Sequence, residues 1–311
     1  MGCSQMRIIF GNTLTKIGAI NDDLVVLTAD VAKPTNTSSF GESFPERFFN
    51  VGISEQDMVG IASGLALSGK VPIMAAFASF LMRGWEQIRN TVARANINVK
   101  MVGTHAGLTS ADDGGSHQAL EDVALMRVLP NVAVVVPGDA AEIAEATEAI
   151  IYHKGPAYLR LGRDEELHFL NGAGFKLGAA VTARDGSDLT VFSNGSITNE
   201  ALIAAESLKT RISTRVVHVP TVKPLDRSAI VAAARDTGAV ICAEEHTTAG
   251  GLGGAIAEVL SEEYPVCVRR VGIEDTFGES GTYRELLNKH GLTAEKISGI
   301  IAKVQQGRGR A

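Results

Sequence analysis

Val132-Ala133-Val134-Val135-Val136 is an unbroken apolar run set between two helical stretches. A strand with one face in water alternates apolar and polar residues. A run apolar at every position belongs in a parallel sheet covered by helices on both faces. Further strands are expected at 24–27, 71–76, 99–104 and 157–162. Helices are expected at 8–20, 55–68, from Phe80 to about residue 95, 118–128 and 139–152. A second series follows, with strands expected at 189–192, 215–219, 239–243 and 266–271 and helices near 198–209, 226–235, 251–262 and 282–304. The alternation predicts an α/β chain of two domains with mostly parallel sheets, spanning 1–170 and 187–306. The polar, glycine-bearing stretch at about 171–186 is expected as the linker.

The chain has 311 residues, 45% of them hydrophobic, enough for two such cores. Net charge is −6, and no run of Lys or Arg precedes the tail Gly307-Arg308-Gly309-Arg310, so no nucleic-acid partner is expected. Cys3, Cys242 and Cys267 form neither a disulfide framework nor a metal knuckle, which fits a reducing cytoplasm. No window has the length and apolarity of a transmembrane helix, and no signal-peptide core is visible, so no membrane partner is expected.

Two stretches carry chemistry. In Asn50-Val51-Gly52-Ile53-Ser54-Glu55-Gln56-Asp57-Met58 a strand ends at Gly52 and a helix opens, with Ser54 as the expected N-cap and Asp57 at capping-box spacing. Glu55 then sits in the first helical turn at a strand's end, where open α/β sheets bind ligands. A first-turn acid also simply complements the helix dipole, and the motif alone leaves both readings open. The second stretch is the glycine-rich connection from His105 to His117, with Asp112 and Asp113 inside it. Two histidines and two acids in such a loop point toward a ligand rather than a scaffold. A zinc site is disfavoured, because the histidines are twelve positions apart and no cysteine joins them. Gly250-Gly251-Leu252-Gly253-Gly254 lacks a dinucleotide fingerprint and a P-loop lysine, and is read as strand-to-helix packing.

Gly52-Ile53-Ser54-Glu55-Gln56-Asp57-Met58, Phe77-Ala78-Ser79-Phe80 and His105…Asp113-Gly114-Gly115-Ser116-His117-Gln118 together resemble the transketolase family, in order and register over residues 5–300. The resemblance covers its pyrimidine-binding and C-terminal domains, with Glu244-Glu245-His246-Thr247…Gly250-Gly251-Leu252-Gly253 as the recognisable part of the latter. It implies thiamine diphosphate as cofactor. Glu55 would hydrogen-bond the aminopyrimidine nitrogen, Phe77 and Phe80 would line the ring slot, and Asp30 would lie near the thiazolium. Where some members carry a further aromatic, this chain has Arg83. His105, Asp113 and His117 match substrate-channel residues, with His105 and His117 taking part in catalysis. Arg7 and Arg163 match phosphate-binding arginines. Thr35–Ser39 departs from the family spacing, leaving Ser39 or Thr37 as the hydroxyl contact to phosphate.

The family's diphosphate-binding domain carries a Gly-Asp-Gly that this sequence lacks. The chain begins where the pyrimidine domain should begin, so the resemblance implies the C-terminal subunit of a split transketolase. An N-terminal partner chain would hold Mg2+ or another divalent ion and the diphosphate, in a two-plus-two heterotetramer acting on sugar phosphates. No metal ligands are assigned to this chain. The alternatives are a beta-type subunit of a 2-oxo-acid decarboxylating enzyme, a deoxyxylulose-phosphate-synthase-like fragment, or a non-catalytic scaffold. The C-terminal domain is expected to serve subunit contact and support.

Overall fold

The computed structural model describes residues 6–163, 168–170 and 174–308. Cys3, the first residues of the expected first domain, residues 171–173 of the expected linker and the last three residues lie outside the described residues.

Twelve strands are described. The first six are β1 (Leu24–Thr28), β2 (Phe48–Asn50), β3 (Val71–Phe77), β4 (Lys100–Thr104), β5 (Ala133–Val135) and β6 (Ala157–Arg160). The others are β7 (Val181–Arg184), β8 (Leu189–Ser193), β9 (Thr214–His218), β10 (Thr221–Lys223), β11 (Val240–Thr247) and β12 (Val268–Ile273). They form a seven-stranded sheet, β10-β5-β6-β4-β3-β1-β2, and a five-stranded sheet, β12-β11-β8-β9-β7. All pairings are parallel except β10 on β5 and β7 on β9.

The unbroken apolar runs are buried on both faces, as their composition requires. Leu24 and Val26 of β1 join Phe10, Leu14, Ile143 and Ala146 of the helices Met6–Gly18 and Ala140–Tyr152. The alternate residues Val25 and Leu27 join Met58, Val59 and Ala62 of the helix Glu55–Leu67.

Two features tie the sheets together. β10 follows β9 in the chain but crosses to the first sheet, pairing Thr221 with Val135. One apolar cluster then runs from Met58 and Met101 through Val136 and Tyr158 to Val217, Cys242 and Ile256. The stretch expected as linker carries β7, an edge strand of the second sheet.

Several expected elements take a different form. The helix after Phe80 is a series of short turns: Ala78–Leu81, the 3-10 turn Met82–Gly84, Trp85–Gln87 and the π-helical turn Ile88–Ala93. The expected helix 282–304 is two helices, Tyr283–Lys289 and Ala294–Arg308, separated at Gly291. His246 is buried where the two sheets meet, its Nε2 accepting from Ala124 N–H at 3.3 Å. The N-terminus of helix Leu252–Glu263 is filled from within, as Leu252 and Gly253 N–H donate to the Glu244 carboxylate at 2.7 and 2.8 Å.

Candidate functional site

In register, Thr28 pairs with Asn50 and Ala75, and Phe77 with Thr104. The C-terminal ends of β1 to β4 are therefore neighbours, and the residues that follow them gather along one edge, the usual ligand edge of an open parallel sheet.

Glu55 opens the helix after β2 and is only 3% exposed. The neighbouring Ser54 does not cap that helix through its side chain; its hydroxyl donates back to Val51 O at 3.0 Å, so the expected capping box is absent. A buried carboxylate needs a polar or charged partner. Here Arg83 Nε stands 3.6 Å from Glu55 Oε2. Arg83 follows Phe80 within the same series of turns, so the acid faces the segment bearing the aromatic pair.

Phe77, 8% exposed, ends β3, and Phe80 lies one turn on. Their rings are stacked, centroids 4.9 Å apart and 15° from parallel. His105 stacks on the other neighbour of this group, 3.8 Å from the Phe77 centroid. His117 meets Phe80 edge-on at 5.1 Å. Two phenyl rings and two imidazoles thus form one cluster, on the sheet edge where Glu55 opens its helix.

The connection from His105 to His117 is not a loose loop. Gly107–Asp113 is a 3-10 segment with Gly107, Leu108, Thr109 and Ser110 buried. The Ser110 hydroxyl reaches His105 O at 2.9 Å and His117 O at 3.2 Å, and the Ser79 hydroxyl donates to His117 O at 3.0 Å. His105 itself is 1% exposed. Desolvation, then Arg7, Arg163 and His117, lower its pKa to about 3, so its ring is neutral at ordinary pH. Nδ1 is 3.0 Å from Thr104 Oγ1, whose hydroxyl donates to Ala76 O at 3.3 Å.

Met6 Sδ and Thr109 Cγ2 both lie 3.2 Å from where a Gly162 Cβ would stand, so the chain at Arg7 and at Arg163 flanks the connection that bears the two histidines. Arg7 Nη1 donates to Pro34 O at 3.1 Å, and Arg163 Nη1 meets Asp113 Oδ2 at 3.4 Å. Asp113 is thus drawn to the same rim. Asp30 stands apart: it is exposed, its carboxylate accepts from Asn50 Nδ2 at 3.2 Å, and it has φ +61°. Among the described residues, no three or more His, Cys, Asp or Glu side chains converge as metal ligands. No described helix is long and apolar enough to cross a membrane.

Comparison with known proteins settles the family. Residues 4–166 match the transketolase pyrimidine-binding domain, and 178–297 match the transketolase C-terminal domain. This chain belongs to the transketolase family. A protein of Methanocaldococcus jannaschii named as a transketolase C-terminal section is 44% identical, over 95% of each chain. The 6-deoxy-6-sulfo-D-fructose transketolase subunit of a Clostridium species (strain MSTE9) is 40% identical, over 94% of this chain and 92% of its own. A solved structure of a split gene transketolase, an inactive beta4 tetramer, superposes with TM-score 0.90 at 45% identity, over 98% of this chain and 99% of that one.

Residues to which the resemblance gave no role also build the site. Ser79, Ser110 and Thr104 orient the two histidines, and Glu245, from the second sheet, accepts from Leu108 N–H at 2.5 Å. Serines and threonines beside a glycine-rich motif carry no distinctive spacing, and Glu245 is 137 positions from its partner. Only the folded chain reveals these contacts.

Proposed function

We propose that this chain is the C-terminal subunit of a two-chain, thiamine-diphosphate-dependent transketolase. It moves a two-carbon ketol unit from a ketose phosphate to an aldose phosphate. The observation that carries the reading is the grouping on one sheet edge of buried Glu55, the Phe77–Phe80 stack and the His105–His117 pair, with the chain at Arg7 and Arg163 flanking the connection that bears the histidines. A buried carboxylate next to stacked phenyl rings fits an aminopyrimidine, which offers a basic ring nitrogen and a flat face.

When bound, thiamine diphosphate supplies a nucleophilic carbon and a place for the electron pair released when a carbon–carbon bond breaks. The chain's own residues would do the rest. Glu55 holds the pyrimidine nitrogen and shares a proton with it. Phe77 and Phe80 cover the ring and keep water out. Asp30 approaches the thiazolium side. His105, neutral at ordinary pH, hydrogen-bonds a sugar hydroxyl and so steadies it as its proton moves, and His117 binds the hydroxyls of the transferred unit. Asp113 reads the hydroxyl beside the cleaved bond. Arg7 and Arg163 are always-charged, forked donors suited to a terminal phosphate.

The grip on the diphosphate and on Mg2+ would come from an N-terminal partner subunit, in an assembly with two copies of each chain. Two observations support this. Relatives of the same span are named a C-terminal section and a split gene product. The acids Glu55, Asp113 and Asp122 already face Arg83, Arg163 and Arg160.

The test is to mix the chain with a candidate N-terminal subunit, thiamine diphosphate and Mg2+, and to supply a ketose phosphate with an aldose phosphate. A ketose two carbons longer than the acceptor is expected. Release of carbon dioxide from a 2-oxo acid, without ketol transfer, would contradict the reading.

A further inference from the structure

We propose that the C-terminal domain positions the active-site loop: Glu245 anchors its backbone at Leu108 and the turn at 278–280 clamps its far end at Gln118, so that His105 and His117 are held in place. The catalytic consequence rests on the transketolase reading of those histidines.

The loop is strained. His105 has φ +56°, and Ala111 has φ +44° with ψ −108°. Such conformations are unfavourable at residues with a Cβ and persist only where the surroundings over-determine them. Part of that restraint comes from Ser79 and Ser110 of the first domain. The remainder comes from the second sheet.

Glu245 lies on β11 and is 5% exposed. One carboxylate oxygen accepts from Leu108 N–H at 2.5 Å; the other accepts from the Tyr283 hydroxyl at 2.8 Å and the Ser196 hydroxyl at 3.3 Å. Gly107, at φ +66°, makes the approach possible, because a Cβ there would overlap the Glu245 carboxylate. The backbone is tied as well: Arg160 Nη2 donates to Glu245 O at 2.9 Å and to Ala119 O at 3.3 Å, and Thr247 N–H donates to Leu120 O at 2.7 Å. At the far end, Gln118 Nε2 bridges Ala111 O at 3.2 Å and Glu279 O at 2.9 Å. Gly278 packs so closely on Gln118 that a Cβ would overlap its side-chain oxygen, and Gly115 abuts the Gly278 backbone.

Burial raises the Glu245 pKa, against the opposing pull of Arg160, Tyr283 and Leu108. A seam that needed only packing would be served as well by an apolar side chain, without the cost of burying a carboxylate. The carboxylate supplies what an apolar group cannot, a directed bond to one loop amide.

The test is hydrogen exchange on the full chain. In Glu245→Ala, amides of 105–118 should exchange at least about tenfold faster while those of β3 and β4 are unchanged; Glu245→Gln, which keeps an acceptor for Leu108, should retain protection. In the assembled enzyme, Glu245→Ala should lower kcat/KM for the donor by about tenfold or more with thiamine diphosphate affinity unchanged. Unchanged loop exchange, or faster exchange with unaltered catalysis, would overturn the proposal. If Glu245→Ala does not fold, the change Gly278→Ala, at a half-buried position against Gln118, should loosen 111–118 and raise the donor KM. Phe277→Ala, at a side chain 90% exposed, should do neither. Equal behaviour of those two variants would likewise overturn it. The exchange experiment needs no substrate, so a loosened loop in a chain without ketol transfer would refute the functional reading and leave the clamp standing.

Discussion

His105 lies face to face with Phe77, ring centroids 3.8 Å apart and planes 21° from parallel. The residue assigned to the sugar therefore touches the residue assigned to the cofactor ring, and both are buried. Burial and the cations around it give His105 a pKa of about 3 against an ordinary 6.5. Between those values the unfolded chain binds a proton here that the folded chain does not, so folding stability falls as pH falls through that window. His105→Asn should move the acid-unfolding midpoint to lower pH, since asparagine tolerates positive φ and does not titrate. Circular dichroism against pH measures this, and an unshifted midpoint would count against the burial argument.

Glu55→Gln keeps the shape and a hydrogen-bonding group but cannot share a proton. In the assembled enzyme it should lower kcat by about 10²–10⁴-fold, the usual worth of a placed acid or base. Cofactor affinity should change far less. Undiminished turnover would favour a scaffold role for this chain.

Arg163→Met should raise KM for phosphorylated donors by about 10–100-fold, from the loss of one charge-assisted hydrogen bond. Unphosphorylated ketoses should be nearly unaffected. Equal losses with both donors would remove Arg163 from the phosphate site, and the same comparison applies to Arg7.

Asp122 and Arg160 form a buried ion pair at 2.8 Å beneath the site, and the Tyr158 hydroxyl donates to Asp122 at 2.6 Å. Asp122→Ala leaves Arg160 without its counter-charge and should cost about 3–5 kcal/mol in denaturant unfolding. A loss below about 1 kcal/mol would mean that the pair behaves like a surface salt bridge.

Much of the site was legible because its parts are local. The apolar runs announce β3 and β4, and the register of those strands brings Phe77 and His105 together. Glu55 falls in the first turn of its helix, as the motif implies. What stayed hidden is non-local. The three-residue strand β10 is too short for periodicity to reveal, and nothing near it says that it crosses to the other sheet. The connection reads as ligand-facing from its histidines and acids, but nothing in it announces that Glu245 pins it from a distant strand. The Ser54 spacing suits a cap, but its hydroxyl finds the Val51 carbonyl instead. The bond from Asn50 Nδ2 to the Asp30 carboxylate joins residues twenty positions apart and has no sequence signal of its own.

The central claim is that this chain provides half of a cofactor site. Calorimetric titration of thiamine diphosphate with Mg2+ tests it most directly, on the purified chain alone and on the chain mixed with its candidate N-terminal subunit. The account predicts weak or no binding by the chain alone, and tight binding by the mixture that Glu55→Gln and Phe77→Ala alter. Tight binding by the chain alone, at the affinity of the mixture, would contradict it.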